Sequence, residues 1–297
     1  MSPQEPPQEA SEAAIETVVV DGLGLAQTLR GEMAEQVAKL VAAGGRAPCL
    51  AVVLVGDDPA SASYIKGKRR ACKRVGMESV EHRLPADTSE TDLLALVERL
   101  NRDDGVDGIL VQLPLPRGIR ANAVAAAIAP EKDVDGVGPL NAGRLLLGEP
   151  GHVACTPLGV MEILDRHGVA LEGAEAVVIG RSMIVGKPIS LLLQQRNATV
   201  TMCHSRTRDL PAACRRADVL VAAVGVPRLV KRDWVKPGAA VMDVGVSVVD
   251  GELVGDVDFE GVQGRAALVT PHRRGVGPMT ITMLLRNTLQ ARLDRGV

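Results

Sequence analysis

Runs of consecutive aliphatic residues constrain this chain more than any other feature of its sequence. The segments 50–55, 176–179, 219–224 and 240–244 are almost entirely apolar, and a strand that is apolar on both faces must be covered on both faces. Segments with the periodicity of amphipathic helices alternate with these runs. The alternation predicts an α/β fold whose parallel-rich sheets are flanked by helices.

The helices can be placed from their apolar spacing and their end signals. In the first helix, apolar residues recur at steps of three or four from Leu25 to Leu40, and Gly44 and Gly45 end it. In the last, Pro278 occupies a first-turn position. The sequence predicts helices at about 21–43, 61–75, 89–101, 157–167, 189–195 and 279–293, and strands at 50–55, 108–112, 176–179, 199–203, 219–224 and 240–244.

Length and bulk composition exclude several classes of protein. A chain of 297 residues exceeds what one hydrophobic core usually serves, which predicts two domains. A stretch rich in Gly and Pro, 136–151, separates two series of alternating elements. A net charge of −2 and only three aromatic residues argue against nucleic acid as a partner. No apolar run reaches the roughly 20 residues that a membrane span needs, so we expect no membrane association.

The cysteines and the first residues bear on the compartment. The five cysteines are odd in number and include no Cys-x-x-Cys pair, so we expect reduced, mostly buried thiols, no metal site and a cytoplasmic protein. Residues 1–17 hold four glutamates but no Lys, no Arg and no apolar stretch. We expect them to form a disordered leader, not a signal or transit peptide.

A glycine-containing segment after the strand 176–179 is a candidate nucleotide loop. Gly180 and Gly186 flank a turn between this strand and a predicted helix, where backbone N–H groups at the positive end of a helix can approach a pyrophosphate. Ser182 and Val185 stand where the dinucleotide fingerprint has its second and third glycines. The loop pattern alone therefore does not distinguish a nucleotide site from an ordinary strand-to-helix turn.

The residues at the end of the next predicted strand, 199–203, support a nucleotide site and indicate which nucleotide it binds. An NAD-specific fold places an acidic residue at the end of this strand to bind the ribose hydroxyls, but no carboxylate occurs here before Asp209. Arg181, Ser205 and Arg206 instead offer positive charge and hydrogen-bond donors, which suit a 2′-phosphate. The sequence predicts NADP in preference to NAD.

Four residues in three segments form a candidate catalytic group. Tyr64 and Lys68 are four residues apart and would share one face of a helix. Gln112 lies at the carboxyl end of a buried strand, where open α/β sheets bind ligands, and Asp135 lies on a turn. Each alone has an ordinary structural explanation, since Lys68 belongs to a cationic run and Asp-Gly is a common turn.

The motifs taken together resemble the methylenetetrahydrofolate dehydrogenase/cyclohydrolase family, whose bacterial form is often called FolD. The resemblance extends over nearly the whole chain after the leader, and several long matches occur in the family's order. The matching segments are 56–61, 64–68, 107–116, 132–136, 155–157, 180–188, 243–245 and 275–280.

This resemblance implies NADP-dependent oxidation of 5,10-methylenetetrahydrofolate and hydrolysis of the methenyl product to 10-formyltetrahydrofolate. It makes Lys68 the central catalytic group, Tyr64 a stacking and hydrogen-bonding partner of the folate, Gln112 the group that tunes Lys68, and Asp135 the carboxylate that holds the pterin. A lysine can accept a proton near neutral pH only if its pKa is lowered, and partial burial of Lys68 would do this. The remaining assignments are Val111, Leu113, Gly275 and Pro278 for the substrate, and Gly180, Arg181, Ser182, Gly186, Ser205, Arg206 and Val246 for NADP.

The resemblance also implies the domain organisation. We expect two domains around a deep cleft, with the last helix returning to the first domain. The predicted division is a leader at 1–17, a folate-binding catalytic domain at 18–150 plus 278–297, and a Rossmann-like NADP-binding domain at 151–277. The family further implies a homodimer formed through the nucleotide domains.

Three other functions share some of these features. Tyr-x-x-x-Lys also marks short-chain dehydrogenases, but there the glycine loop precedes the Tyr/Lys pair, whereas Tyr64 here precedes Gly180. A folate- or nucleotide-binding protein with impaired catalysis is disfavoured by intact Lys68, Gln112 and Asp135. A dehydrogenase without the hydrolase step remains open, because both activities use one cleft.

One loop departs from the family pattern. Where the family has Val-Pro-Gly before Gly-Val-Gly-Pro-Met-Thr, this chain has His272, Arg273 and Arg274. If the glycine position needs a positive φ, Arg274 is strained by about 1 kcal/mol or more. The two guanidinium groups would either disfavour the cationic methenyl intermediate or bind the glutamate tail of the folate. We expect the first outcome and a lowered turnover.

Overall fold

The computed structural model describes residues 15–296, and for 59–64 it describes the backbone alone. Helices and strands alternate along most of this length. The strands are β1 Val18–Val19, β2 Cys49–Val55, β3 Glu78–Leu84, β4 Gly108–Val111, β5 Glu175–Ile179, β6 Thr199–Cys203, β7 Val219–Ala222, β8 Ala240–Asp243, β9 Val246–Val249, β10 Glu252–Gly255 and β11 Leu268–Val269. The helices are α1 Gly22–Ala42, α2 Pro59–Arg74, α3 Glu90–Arg102, α4 Ala121–Ala127, α5 Pro139–Leu147, α6 Cys155–Arg166, α7 Gly186–Gln195, α8 Leu210–Cys214, α9 Phe259–Val262 and α10 Val276–Asp294, with a 3-10 turn at Arg232–Trp234.

Two parallel sheets confirm the predicted α/β fold. The first has the order β3-β2-β4, and the second has the order β1-β11-β8-β7-β5-β6. A separate antiparallel hairpin joins β9 and β10. Because neighbouring strands in each sheet are parallel, their carboxyl ends meet at one edge, where ligands of such sheets bind. All seven residues of β2 are buried, as its continuous aliphatic sequence requires.

The last helix connects the two halves of the molecule. Helix α10 packs against α1 and α6 and also contacts α2 and β4 of the first sheet. The buried residues of α10 include Met279, Met283, Leu285 and Leu289. They belong to a hydrophobic core that also contains residues of both sheets. The chain therefore returns to the first sheet at its end, as the resemblance implies.

The first described strand differs from the expectation. Residues 18 and 19 were expected in the first domain, but Val18 pairs with Leu268 of the second sheet. Thr17 Oγ1 donates to the carbonyl of Ala266 at 2.6 Å, so residues just before β1 follow the same edge. Two strand residues give no periodic signal, and their pairing depends on a partner 250 positions away. The leader prediction covered 1–17: it is wrong for residues 15–17, which are hydrogen-bonded along this edge, and 1–14 lie outside the described residues.

Several elements were absent from the sequence prediction. Strand β3 alternates between exposed and half-buried residues at the edge of its sheet, so it has no aliphatic run. Helix α5 lies inside the Gly/Pro-rich stretch 136–151, for which the sequence predicts only a connection. Pro139 begins this helix, and Gly148, with φ 72°, ends it. The proline and the glycine thus mark the ends of a short helix.

Burial accounts for the chemistry of the cysteines. All five are buried free thiols. Burial raises the pKa of Cys49 and of Cys72 to about 11, and that of Cys214 to about 12. These three thiols stay protonated near neutral pH and behave as small apolar side chains. Among the described residues, no helix combines the length and apolarity needed to cross a membrane.

Candidate active site

Lys68 and Gln112 come together at the carboxyl end of the first sheet. Gln112 follows β4 directly, and its backbone N–H donates to Val53 at 2.9 Å, which fixes it beside β2. Lys68 Nζ lies 2.8 Å from Gln112 Oε1. The Gln112 amide nitrogen donates to the carbonyl of Leu113 at 2.7 Å, which directs its oxygen toward the lysine. The predicted pairing of these two side chains is therefore present.

Burial sets the ionisation of Lys68. The side chain is half-buried, and loss of water lowers its pKa below the usual value for lysine. The negative charge of Asp135 acts in the opposite direction but is the weaker effect. Burial likewise raises the pKa of Asp135, and the positive charge of Lys68 partly offsets this. Both charged forms are destabilised by the enclosure, so a neutral amine is more accessible here than on the surface.

A buried carboxylate shapes the turn that carries Asp135. Asp133 accepts hydrogen bonds from the backbone N–H of Gly138 at 2.8 Å and from Asn141 Nδ2 at 2.9 Å. Gly136 has φ 67°, and a Cβ atom there would lie 2.2 Å from the carbonyl carbon of Val153. Asp133 therefore has a structural role, while Asp135 remains half-buried and interacts electrostatically with Lys68.

The sequence prediction missed Asn287, which holds this turn from α10. Asn287 is 6% exposed. Its Nδ2 donates to the carbonyls of Val134 at 2.8 Å and Val153 at 3.0 Å. Cys155 Sγ also donates to Val134 at 3.3 Å. No local motif signals this role, because the accepting carbonyls are more than 130 residues distant in sequence.

The candidate nucleotide loop has the close approach that glycine permits. Gly180 has φ 121°, and a Cβ atom there would lie 2.4 Å from the carbonyl oxygen of Ala223. At Gly186 a Cβ atom would lie 2.2 Å from the oxygen of Gly180. Ser182 Oγ accepts from the backbone N–H of Val185 at 3.1 Å, closing the turn where the fingerprint has a glycine. These residues fit a dinucleotide phosphate at the start of α7.

The residues predicted to bind a 2′-phosphate lie on neighbouring loops. Ile179 pairs with Cys203, and the N–H of Gly180 donates to Cys203 at 2.9 Å, so the loops after β5 and β6 begin side by side. Arg181, Ser205 and Arg206 are exposed on these loops. Within the described part of the chain, neither arginine forms an ion pair. Both guanidinium groups are thus accessible to an anion.

Two buried aspartates fix the loops at the centre of the second sheet. Asp256 accepts three backbone N–H groups, from residues 224, 225 and 226, at 2.6 to 3.0 Å. Asp243 accepts the N–H groups of Asp256 at 2.9 Å and Val257 at 3.3 Å. Burial, together with the nearby charge of Asp256, raises the pKa of Asp243 to about 7. Val246, a predicted NADP contact, follows β8 closely and is exposed beside these loops.

One cavity joins the two halves of the site. Its wall includes Val111, Leu113 and Asp135 from the first domain, and Met183 and Ile184 from the candidate nucleotide loop. The segment that would hold the cofactor phosphate therefore also borders the pocket that contains Asp135. Tyr64 lies on α2 one turn before Lys68, and its side chain lies outside the described residues.

The loop that departs from the family pattern leads into α10. Arg274 has φ 65°, so the positive φ that was considered for this position is present. A non-glycine residue in this region costs about 1 kcal/mol or more. Gly275, which precedes α10, is buried, and Pro278 is half-buried in its first turn. Thr280 of the same turn lies 3.0 Å from Thr156, hydroxyl to hydroxyl, next to Cys155.

These features define a two-domain α/β enzyme with a dinucleotide loop beside an enclosed lysine and carboxylate. Models of the tetrahydrofolate dehydrogenase/cyclohydrolase family match both parts of the chain, the catalytic domain at 20–135 and the NAD(P)-binding domain at 154–295. The chain belongs to this family. Its second domain is an NAD(P)-binding domain.

Relatives resemble the chain over nearly its whole length. Bifunctional protein FolD 2 of Geobacter metallireducens is 54% identical over 281 residues, which cover 94% of this chain and 98% of that protein. The crystal structure of the bifunctional FolD enzyme of Campylobacter jejuni is similar with a TM-score of 0.92 and 44% identity, covering 94% of this chain and 99% of that one. The Trypanosoma brucei methylenetetrahydrofolate dehydrogenase-cyclohydrolase, complexed with NADP and an inhibitor, gives a TM-score of 0.89 at 40% identity, with coverage of 94% and 98%.

Replacing Asn287 with alanine will test the support of the Asp135 turn. Asn287→Ala leaves the carbonyl of Val153 without this amide donor and the carbonyl of Val134 with only the thiol of Cys155, which we expect to destabilise the fold by about 1–3 kcal/mol. We also expect a higher KM for the folate with unchanged NADP affinity. Denaturant unfolding and steady-state kinetics measure these effects, and Gln290→Ala, exposed on the same helix, is the control. An unchanged folate KM would show that Asn287 acts on stability alone.

Replacing Asp243 with asparagine will test its raised pKa. A carboxyl whose folded-state pKa is raised stabilises the fold in its protonated form, and this contribution is lost as the pH rises toward about 7. We expect the free energy of unfolding of wild type to fall between pH 4 and pH 8. In Asp243→Asn this fall should be smaller by up to about 4 kcal/mol. Urea unfolding across this range measures the difference, with exposed Asp233→Asn as the control. Parallel profiles for wild type and Asp243→Asn would contradict the assignment.

Proposed function

We propose that this chain oxidises 5,10-methylenetetrahydrofolate with NADP and hydrolyses the methenyl product to 10-formyltetrahydrofolate in one cleft. The observation that carries the proposal is the contact of Lys68 with Gln112 at 2.8 Å, in an enclosure that lowers the pKa of the lysine. The nucleotide loop borders the adjoining Asp135 pocket. A proton acceptor beside a dinucleotide site is what the two consecutive reactions require.

The pterin binds at Asp135 in this proposal. A carboxylate with two acceptor oxygens matches the N–H groups along one edge of the pterin. Val111 and Leu113 form an apolar part of the pocket wall beside Asp135. Tyr64, one helical turn before Lys68, stacks on the folate. Gly275 and Pro278 bound the site from the start of α10. Fixing the ring on several sides aligns the one-carbon bridge with the cofactor.

The second domain holds NADP through the loops after β5 and β6. The pyrophosphate is bound by Gly180, Ser182 and Gly186. The 2′-phosphate is bound by Arg181, Ser205 and Arg206. The nicotinamide end contacts Val246. When bound, NADP accepts the hydride that leaves the one-carbon bridge. Met183 and Ile184 add apolar side chains to the wall of the Asp135 pocket, which reduces the amount of water beside the bound rings.

Lys68 accepts the proton that the hydrolysis releases. Attack of water on the methenyl carbon releases a proton, and a neutral Lys68 amine accepts it at Nζ. Gln112 Oε1 accepts one N–H of this amine, so the nitrogen lone pair is oriented away from Gln112. Asp135 stabilises the ammonium once it forms, because its negative charge favours the protonated lysine. The enclosure and the carboxylate therefore keep the lysine able both to accept and to release a proton.

We further propose a cytoplasmic homodimer formed through the nucleotide domains, as the family resemblance implies. A dehydrogenase that lacks the hydrolase step is the second candidate function, since both steps use the same residues. Following the absorbance of the methenyl product with NADP, and then its decay, separates the two. If the methenyl product accumulates and then decays no faster than it does without enzyme, the chain is a dehydrogenase alone.

Lys68→Met will test the role of the lysine. We expect the cyclohydrolase rate to fall about 100-fold or more, since general-base help is typically of this size, while NADP binding changes little. Lys66→Met, on the exposed side of the same helix, is the control and should keep both activities. Hydrolysis at a tenth of the wild-type rate or more would contradict the assignment.

Arg206→Ala will test the choice of cofactor. We expect wild type to prefer NADP over NAD in kcat/KM, and the variant to lose about tenfold or more of this preference, because a charge-assisted contact to the 2′-phosphate is removed. Arg208→Ala, which changes another exposed arginine of the same loop, is the control. A wild type without preference refutes the prediction, and an unchanged ratio in Arg206→Ala transfers the role to Arg181.

A further inference from the structure

The strand order of the second sheet indicates where the two halves of a dinucleotide lie. Strand β5 has β6 on one side and β7 on the other, and a sheet of this kind binds a dinucleotide in the crevice at the carboxyl ends of its central strands. The residues proposed for the 2′-phosphate, which belongs to the adenosine half, lie on the loops after β5 and β6. The nicotinamide half therefore extends to the other side of β5, over the loops that follow β7 and β8.

The loop after β7, residues 223–226, borders the candidate pyrophosphate loop. A Cβ atom on Gly180 would overlap the carbonyl oxygen of Ala223 and would lie 3.4 Å from Val224 Cγ1. Val224 and Val226 are 36% and 45% exposed, so two apolar side chains of this loop lie at the surface. The loop therefore presents an apolar face next to the pyrophosphate, where the nicotinamide half of the cofactor begins.

A single carboxylate sets the conformation of loop 223–226. Asp256 is fully buried. Its Oδ2 accepts the backbone N–H groups of Val224 at 2.6 Å and Gly225 at 3.0 Å, and its Oδ1 accepts that of Val226 at 2.8 Å. Gly225 has φ 67°, and successive N–H groups around a residue of positive φ form a concavity that binds an anion. The shape of the loop therefore depends on the Asp256 carboxylate, which fills this concavity from a distant segment.

Asp256 is itself held in place from several directions. Its N–H donates to Asp243 Oδ1 at 2.9 Å, and its carbonyl accepts the N–H of Val230 at 3.0 Å. A Cβ atom on Gly245, which follows β8, would overlap the Asp256 carboxylate. The carboxylate thus connects loop 223–226 to the end of β8, on the side of β5 that the adenosine half does not use.

We infer that Asp256 is a positioning residue for the nicotinamide half of NADP, and that hydride transfer depends on it whereas the hydrolysis does not. The inference rests on the proposed function. Hydride transfer requires the nicotinamide ring to lie at a fixed distance and angle from the one-carbon bridge, so a small displacement of the supporting loop slows it. The hydrolysis uses a water and Lys68, which lies on α2 of the first domain. A defect confined to loop 223–226 therefore separates the two activities.

Asp256→Asn tests the inference through cofactor binding. The amide keeps the volume of the side chain but replaces an acceptor oxygen with an NH2 group, which opposes the backbone N–H groups. We expect the Kd for NADP to rise about tenfold or more, and the Kd for adenosine 2′,5′-bisphosphate, which lacks the nicotinamide half, to stay within about twofold. Calorimetric titration measures both constants. Asp250→Asn makes the same change in the exposed turn between β9 and β10 and should alter neither constant.

The two activities of one protein provide a second readout. In Asp256→Asn we expect the dehydrogenase kcat to fall about tenfold to 100-fold, and hydrolysis of supplied methenyltetrahydrofolate, which needs no nicotinamide, to stay within about twofold of wild type. Gly225→Ala alters the same loop without changing the buried carboxylate, because a side chain there is strained by the positive φ and meets only Ser247 Oγ, at 3.9 Å. It should give the same two results even if Asp256→Asn does not fold.

Several results would contradict a positioning role for Asp256. Equal weakening of NADP and bisphosphate binding, or an equal fall in both activities, would show that the residue only supports the fold of the second domain. An unchanged dehydrogenase kcat in both variants would exclude the role, whatever the affinity for NADP. A wild type without dehydrogenase activity, whose binding of NADP but not of the bisphosphate still depends on Asp256, would refute the proposed function and leave the positioning role intact.

Discussion

The enclosure of Lys68 together with Asp135 is the constraint on which the rest of the site depends. Taking both groups out of water destabilises each charged form, so the pKa of the lysine falls and that of the carboxyl rises. Their mutual attraction opposes both shifts without removing them. A surface lysine would stay protonated near neutral pH and could not accept a proton. The surrounding structure must therefore limit the access of water to both groups.

Much of the fold supplies this enclosure from distant parts of the sequence. Gln112 reaches Lys68 because β4 ends beside β2. Asn287 holds the Asp135 turn from the last helix, so the carboxyl-terminal segment is part of the folate half of the site. Unpaired carbonyls at that turn would be costly in a buried position. The return of α10 to the first sheet is thus a requirement of the site as well as of the core.

The sequence predicts those parts of the molecule that local pattern and chain order control. The buried strands and the amphipathic α1 carry strong periodic signals, and Gln112 was found because carboxyl ends of parallel strands gather ligand-binding residues. Strand β1 has two residues and needs a distant partner, so no periodicity marks it. Asn287 and the Asp243–Asp256 pair were missed for the same reason: their hydrogen-bond partners are fixed by tertiary packing, not by neighbours in sequence.

The two reactions place opposite demands on water. Hydride transfer requires that water be kept from the path between the rings, and Met183 and Ile184 contribute apolar side chains to the wall of the Asp135 pocket. Hydrolysis requires one water near Lys68, which is half-buried and not sealed. The apolar wall comes from the loop between β5 and α7, whereas Lys68 comes from α2 of the first domain, so different parts of the chain meet the two demands.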